Sequence, residues 1–214
     1  MPEEQHNGRR QLPPPEGDPQ PQYLSGDAGR LNDPSQFPFG TCPKWVDGTL
    51  VINQSNAILR HLARAAQLYG TTAAETALVD SWLDHVEDVR KAYSDVVYGL
   101  DEPPFDAALT NDDPKCVAAF AAHAPSVTVA FTPCERQLAS SAAGVLVGDD
   151  AITVADIALY DIFEVHLRLW ADVLSAADFP MLHAHRASVA AQPGIAAYLQ
   201  SGKRWSRLNG NALG

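Results

Sequence analysis

Residues 40–62, with the sequence GTCPKWVDGTLVINQSNAILRHL, decide how the N-terminal part of this chain folds. Two short, largely apolar runs, at 44–46 and 50–52, lie on either side of the dipeptide Asp47-Gly48, which is typical of a tight β-hairpin turn. A run of small polar residues follows and stands where a helix begins. The stretch therefore predicts strand, turn, strand and helix. The start of that helix offers backbone N–H groups and the Ser55 hydroxyl to a carboxylate.

Length and charge limit the classes of protein to consider. A chain of 214 residues forms one large domain or two small ones. Its net charge of -11 argues against nucleic acid and anionic membrane surfaces as partners, since both favour basic patches. No continuous apolar run approaches the roughly 18 residues that a membrane span needs, and the first residues lack the apolar core of a signal peptide.

The number and spacing of the cysteines indicate their redox state and whether they could bind a metal. Cys42, Cys116 and Cys134 have none of the spacings that metal sites use, and their number is odd. Together with the absence of a recognisable secretory signal, this predicts reduced thiols, no metal site and a cytoplasmic location.

The first 38 residues differ in composition from the rest of the chain. They contain eight of the 16 prolines, and their few apolar residues follow neither helical nor strand spacing. This composition predicts a disordered or extended arm over residues 1–38.

Helical periodicity dominates the remainder. It predicts a helix over 55–68 and a longer one after Thr72, whose apolar face comprises Leu78, Trp82, Val86, Val89, Tyr93 and Val96 or Val97. Three prolines are expected to divide residues 105–145 into short pieces, with a helix over 133–141.

Three further helices are predicted towards the C-terminus. Thr153 and Asp156 have the spacing of a capping box and precede a buried helix that runs to about residue 169. Pro180 and Pro193 stand at the first turns of two more helices. A few strands followed by helices predict an α+β fold that is mostly α.

Over residues 39–98, and again over 135–211, the sequence resembles the glutathione transferases, and among them the Pi class. The matching motifs stand in the order QSNAILRHL (54–62), QLYG (67–70), ALVD (77–80), VEDVR (86–90), VGD (147–149), AD (155–156) and NGN (209–211). The resemblance implies an incomplete thioredoxin-like, glutathione-binding domain over 39–70 and an all-helical C-terminal domain over 71–214.

The resemblance also implies a glutathione-binding half-site in the opening stretch. Gln54 and Ser55 would hold the γ-glutamyl carboxylate, and the turn Thr41-Cys42-Pro43, with a cis proline, would pair through its backbone with the cysteinyl part. From the residues alone, Ser55 could equally be a simple helix cap and Pro43 an ordinary trans proline. The Cys42 thiol could form a mixed disulfide with glutathione or be an inert packing residue.

Two further residues are assigned by the resemblance. Asp88 would reach the ammonium group of glutathione bound by the partner subunit of a homodimer; the alternative is a solvated helix charge paired with Arg90 or Lys91. Tyr98 would lie in the electrophile site; the alternative is a tyrosine at a helix end.

The group that would activate the thiol is unknown, because nothing before Phe39 matches the family's strand-helix-strand unit, which supplies the activating hydroxyl or thiol. Tyr23 is the only early tyrosine. Two functions therefore stay open. One is conjugation of glutathione, as co-substrate and without a cofactor, to soft electrophiles in detoxification. The other is a non-catalytic, transferase-like binding or scaffold protein. The natural electrophile, expected to be small and hydrophobic, is not identified.

Overall fold

The structure is a computed structural model and describes residues 33–35, 37–100, 110–149, 151–204, 209 and 213. The predictions for residues 1–32, which include most of the arm and Tyr23, lie outside the described residues. Contacts divide the chain into two units, one up to Tyr69 and the other from Gly70 onward. Two strands and six helices are described, which confirms the predicted α+β, mostly α, class.

The first unit contains the predicted hairpin and helix. Strands β1 (Lys44–Asp47) and β2 (Leu50–Asn53) pair antiparallel, and helix α1 (Ser55–Ala65) follows directly. The turn has Gly48 at φ +56°, a left-handed conformation that glycine adopts without steric cost. The hairpin exposes apolar side chains, since the cross-strand pair Val46 and Val51 is about half exposed at 54% and 51%.

Helix α1 ends three residues earlier than predicted. Gln67 has a φ of 58°, and the backbone N–H of Leu68 donates to the Ala63 carbonyl at 2.8 Å while that of Gln67 donates to Arg64 at 3.2 Å. These two bonds form a Schellman motif, which normally carries glycine at the left-handed position. Glutamine rather than glycine occupies that position here. The nearest glycine that could mark the end of the helix is Gly70, so the sequence predicted a helix that is too long.

A short ordered turn precedes the hairpin. Phe37 is buried, its backbone N–H donates to the Asp33 carbonyl at 2.8 Å, and the Lys44 ammonium lies 4.7 Å from its ring centroid. Phe37 falls inside the stretch predicted as an arm. At Phe37 the structure therefore differs from the predicted disordered or extended arm.

Among the described residues of the second unit, every regular element is a helix. The unit contains α2 (Ala73–Gly99), α3 (Pro114–Ser140), α4 (Val154–Trp170), α5 (Pro180–Ala190) and α6 (Pro193–Gln200). Helix α4 is buried along most of its length and packs against α2, α3 and α5. Helices α2, α4, α5 and α6 confirm four predictions: the long helix after Thr72, the buried helix that follows Thr153, and the helices that begin at Pro180 and Pro193.

The buried face of α2 is rotated from the predicted one at its N-terminal end. Val79 and Leu83 are buried there, whereas Leu78 is 52% exposed and Trp82 is partly exposed. Both sets have helical spacing, so periodicity alone could not separate them. From Val86 onward the predicted and observed faces agree.

The prediction that prolines break residues 105–145 into short pieces is wrong for the described part, because α3 runs unbroken from Pro114 to Ser140. Pro125 and Pro133 lie inside the helix on its exposed side. The buried face keeps a heptad-like spacing through both prolines: Cys116, Phe120, Val127, Phe131, Cys134 and Leu138. Burial of this face outweighs the backbone hydrogen bond that each proline removes.

Helix α3 is also the one helix among the described residues with the length and hydropathy of a membrane span, at a mean hydropathy of 1.3 over 18 residues. This is weak evidence for a span, because a helix in a packed bundle can pass the same test. Here α3 packs against α2, α4 and α5.

The start of α4 is organised by a buried carboxylate. Asp156 is fully buried and accepts hydrogen bonds from the backbone N–H and hydroxyl of Thr153 at 2.8 and 2.9 Å. Its other oxygen accepts from the Leu146 backbone N–H at 2.8 Å and lies 3.1 Å from the Nε2 of buried His185. The predicted capping box of Thr153 and Asp156 is thus confirmed, and Asp156 also ties α5 and the preceding loop to α4.

Candidate functional site

The hairpin brings two separate pieces of sequence to one place. The register pairs Lys44 with Asn53, so the residue before β1, Pro43, and the residue after β2, Gln54, flank the same open end of the hairpin. Paired residues of antiparallel strands have Cα atoms about 5 Å apart. The predicted site residues Thr41, Cys42, Pro43, Gln54 and Ser55 therefore cluster at this end, and all five are exposed.

Gln54 holds an unusual backbone conformation at the start of α1. Its φ of 75° and ψ of 118° are rare for a residue with a side chain, and its side chain makes no capping bond. Such conformations are concentrated at functional sites. Ser55 is the first residue inside the helix rather than its cap, and its hydroxyl makes no hydrogen bond among the described residues. The interpretation of Ser55 as a simple cap is therefore not supported.

The helix start can bind an anion. The first N–H groups of an α-helix have no partner within the helix, and the helix dipole places partial positive charge there. No acidic residue lies in the first turn of α1, so an anion approaching Ser55 meets no like charge from that turn. A ligand carboxylate could accept from these N–H groups and from the Ser55 hydroxyl together.

The Cys42–Pro43 peptide bond is cis, as the resemblance implied. Cys42 itself is exposed, whereas Cys116 and Cys134 are buried in the second unit. Burial raises the pKa of the Cys134 thiol to about 12, which keeps it protonated and unreactive. Cys42 is thus the accessible thiol among the three cysteines.

Asp88 lies on the exposed face of α2, in the second unit. The expected neighbours are paired elsewhere: Arg90 donates to Asp161 at 3.1 Å, and Lys91 donates to Asp95 at 2.8 Å. In the part of the chain that the structure describes, Asp88 forms no ion pair. The structure thus agrees with a solvated helix charge at Asp88, without the pairing to Arg90 or Lys91, and a contact between Asp88 and a ligand stays a prediction.

Tyr98 is partly exposed in the last turn of α2, five residues after the buried Tyr93. The Tyr93 hydroxyl accepts from the Asn209 side chain at 2.8 Å, and the same Asn209 nitrogen donates to the Leu213 carbonyl at 2.6 Å. Burial raises the pKa of the Tyr93 hydroxyl, so this group stays neutral. Asn209 and the buried Leu213 are thereby held against the helix that carries Tyr98.

Sequence reasoning did not single out two residues beside the open end of the hairpin. The Nε1 of Trp45, in β1, and the Oδ1 of Asn53, at the end of β2, are buried without a hydrogen-bond partner among the described residues. Buried polar atoms are usually paired. A tryptophan and an asparagine in adjacent strands carry no pattern that reveals this, because it depends on how the two side chains pack.

Comparison with known proteins assigns the family. The profile of the family described as glutathione S-transferase, C-terminal domain, matches residues 87–202. The glutathione S-transferase P of Bos taurus is 35% identical over 176 residues, which cover 81% of this chain and 75% of that protein. The glutathione S-transferase P of Homo sapiens is also 35% identical, over 76% of this chain and 70% of that protein.

Solved structures agree with the sequence comparison. A Pi-class glutathione S-transferase of Onchocerca volvulus superimposes with a TM-score of 0.62 at 30% identity, covering 81% of this chain and 76% of that one. A structure described as NaGST-2 gives a TM-score of 0.63 at 26% identity, covering 78% and 77%. The chain therefore belongs to the glutathione S-transferase family and, within it, to the Pi class.

Proposed function

We propose that this chain binds glutathione at the open end of its hairpin and conjugates it to small hydrophobic electrophiles, as a homodimer in the cytoplasm and without a cofactor. The observation that carries the proposal is the juxtaposition of the Thr41–Pro43 turn with the Gln54–Ser55 helix start at one end of the hairpin, in a member of this family. Such conjugation would serve detoxification.

The two pieces of the site would hold different parts of the peptide. The N-terminus of α1 and the Ser55 hydroxyl would bind the γ-glutamyl carboxylate, since both favour negative charge. The backbone of Thr41 and Cys42 would pair with the cysteinyl part. Asp88 of the partner subunit would meet the ammonium group, and Tyr98 would contact the electrophile.

Glutathione binding is the direct test of the half-site. Calorimetric titration of the full chain should give measurable affinity, and Ser55→Ala should weaken it about tenfold, because the carboxylate loses a charge-assisted hydrogen bond. Thr49→Ala is the matched control, since Thr49 lies in the turn at the other end of the same hairpin. Equal affinities for wild-type and Ser55→Ala would rule out the half-site.

Turnover separates the two functions that the sequence left open. Conjugation of glutathione to an aryl halide is compared with a blank that contains equal thiol and no protein. A rate well above the blank supports the transferase. A folded protein that binds glutathione but matches the blank would instead be a non-catalytic binding protein, and the conjugating activity would be rejected.

A further inference from the structure

No further inference is drawn: the strongest candidate, the shallow cleft of about 370 Å³ between α3 and the α4–α5 loop that Thr128, Thr132, Glu135, Val173, Asp178 and Phe179 line, offers a pair of acidic side chains that already accept hydrogen bonds from the α5 N-terminus and Ser175, and nothing in the described residues shows what would occupy it.

Discussion

At the scale of single residues, the three cysteines should differ sharply in reactivity. Cys42 is exposed, whereas the relative exposures of Cys116 and Cys134 are 0% and 1%. A thiol-specific reagent should therefore modify one thiol quickly in the native protein and all three in denaturant, as counted by intact mass. Cys42→Ser should abolish the fast reaction. Fast modification that persists in this variant would show that the second unit opens far more readily than its packing indicates.

Buried His166 should make the second unit sensitive to acid. Its Nδ1 lies 2.8 Å from the Ile162 carbonyl, and its ring packs among Tyr93, Phe131 and Trp170. Burial lowers its pKa from 6.5 to about 4, and burial also lowers the pKa of nearby His123. As the pH falls, His166 is therefore protonated at a higher pH in the unfolded chain than in the folded protein, and this favours unfolding. Stability is complete above about pH 6.5 and declines towards pH 4, by roughly 3 kcal/mol for His166.

Urea unfolding at several pH values between 4 and 7.5 measures this slope. His166→Phe keeps an aromatic ring in the cluster and removes the titrating group, so its unfolding free energy should depend less on pH than that of the wild type. His61→Gln, a substitution of a partly exposed histidine on α1, is the control. The interpretation fails if His166→Phe retains the full wild-type slope.

The candidate site shows what single residues reveal in a sequence and what they do not. Ser55 and Pro43 could be predicted as site residues because the motifs around them resemble a family. Their proximity follows from the hairpin register, which the Asp47-Gly48 turn signal indicates. The left-handed backbone of Gln54 was not predictable, because no residue preference marks a glutamine for that conformation.

At the scale of elements, Asp156 should be the most sensitive polar residue of the second unit. Asp156→Ala removes the acceptor for Thr153, Leu146 and His185 at once and leaves their buried donors unpaired. We expect a loss of about 3–5 kcal/mol in unfolding free energy, seen as a lower thermal midpoint or as failure to refold. Asp156→Asn, which keeps one acceptor oxygen, should cost less.

Asp161→Ala provides the matched control for this prediction. Asp161 lies on the same helix and also accepts a hydrogen bond, from Arg90, but its side chain is 48% exposed. Exposed ion pairs contribute about 0–1 kcal/mol. Equal losses for the Asp156 and Asp161 variants would contradict the role of burial.

Helix α3 shows why the elements could be predicted only in part. Proline is a strong local signal, and it predicted breaks at Pro125 and Pro133. The heptad-like spacing of the buried residues instead favours one continuous helix. The helix stays continuous because these side chains pack against three other helices. The helices beginning at Pro180 and Pro193 were predicted correctly because proline at a first turn agrees with the packing.

At the scale of the whole molecule, the proposed glutathione site would be completed by a second copy of the chain. Asp88 is exposed and forms no ion pair within the described residues, so its charge is available to a ligand held by a partner subunit. Removing a charge-assisted bond to an ammonium group costs about 1.5–3 kcal/mol, or roughly 10- to 100-fold in affinity. Asp88→Asn should therefore weaken glutathione binding by this factor while sedimentation still shows a dimer.

Asp172→Asn, in the exposed loop after α4, makes the same change in net charge and should leave the affinity unaltered. Dilution tests the dimer independently, since glutathione affinity should fall as the protein concentration drops below the dimer dissociation constant. A monomer that binds glutathione as tightly as the dimer would exclude a contribution from the partner. An Asp88→Asn dimer that binds glutathione with wild-type affinity would exclude it as well. In either case, the half-site on the hairpin would have to bind glutathione without the partner subunit.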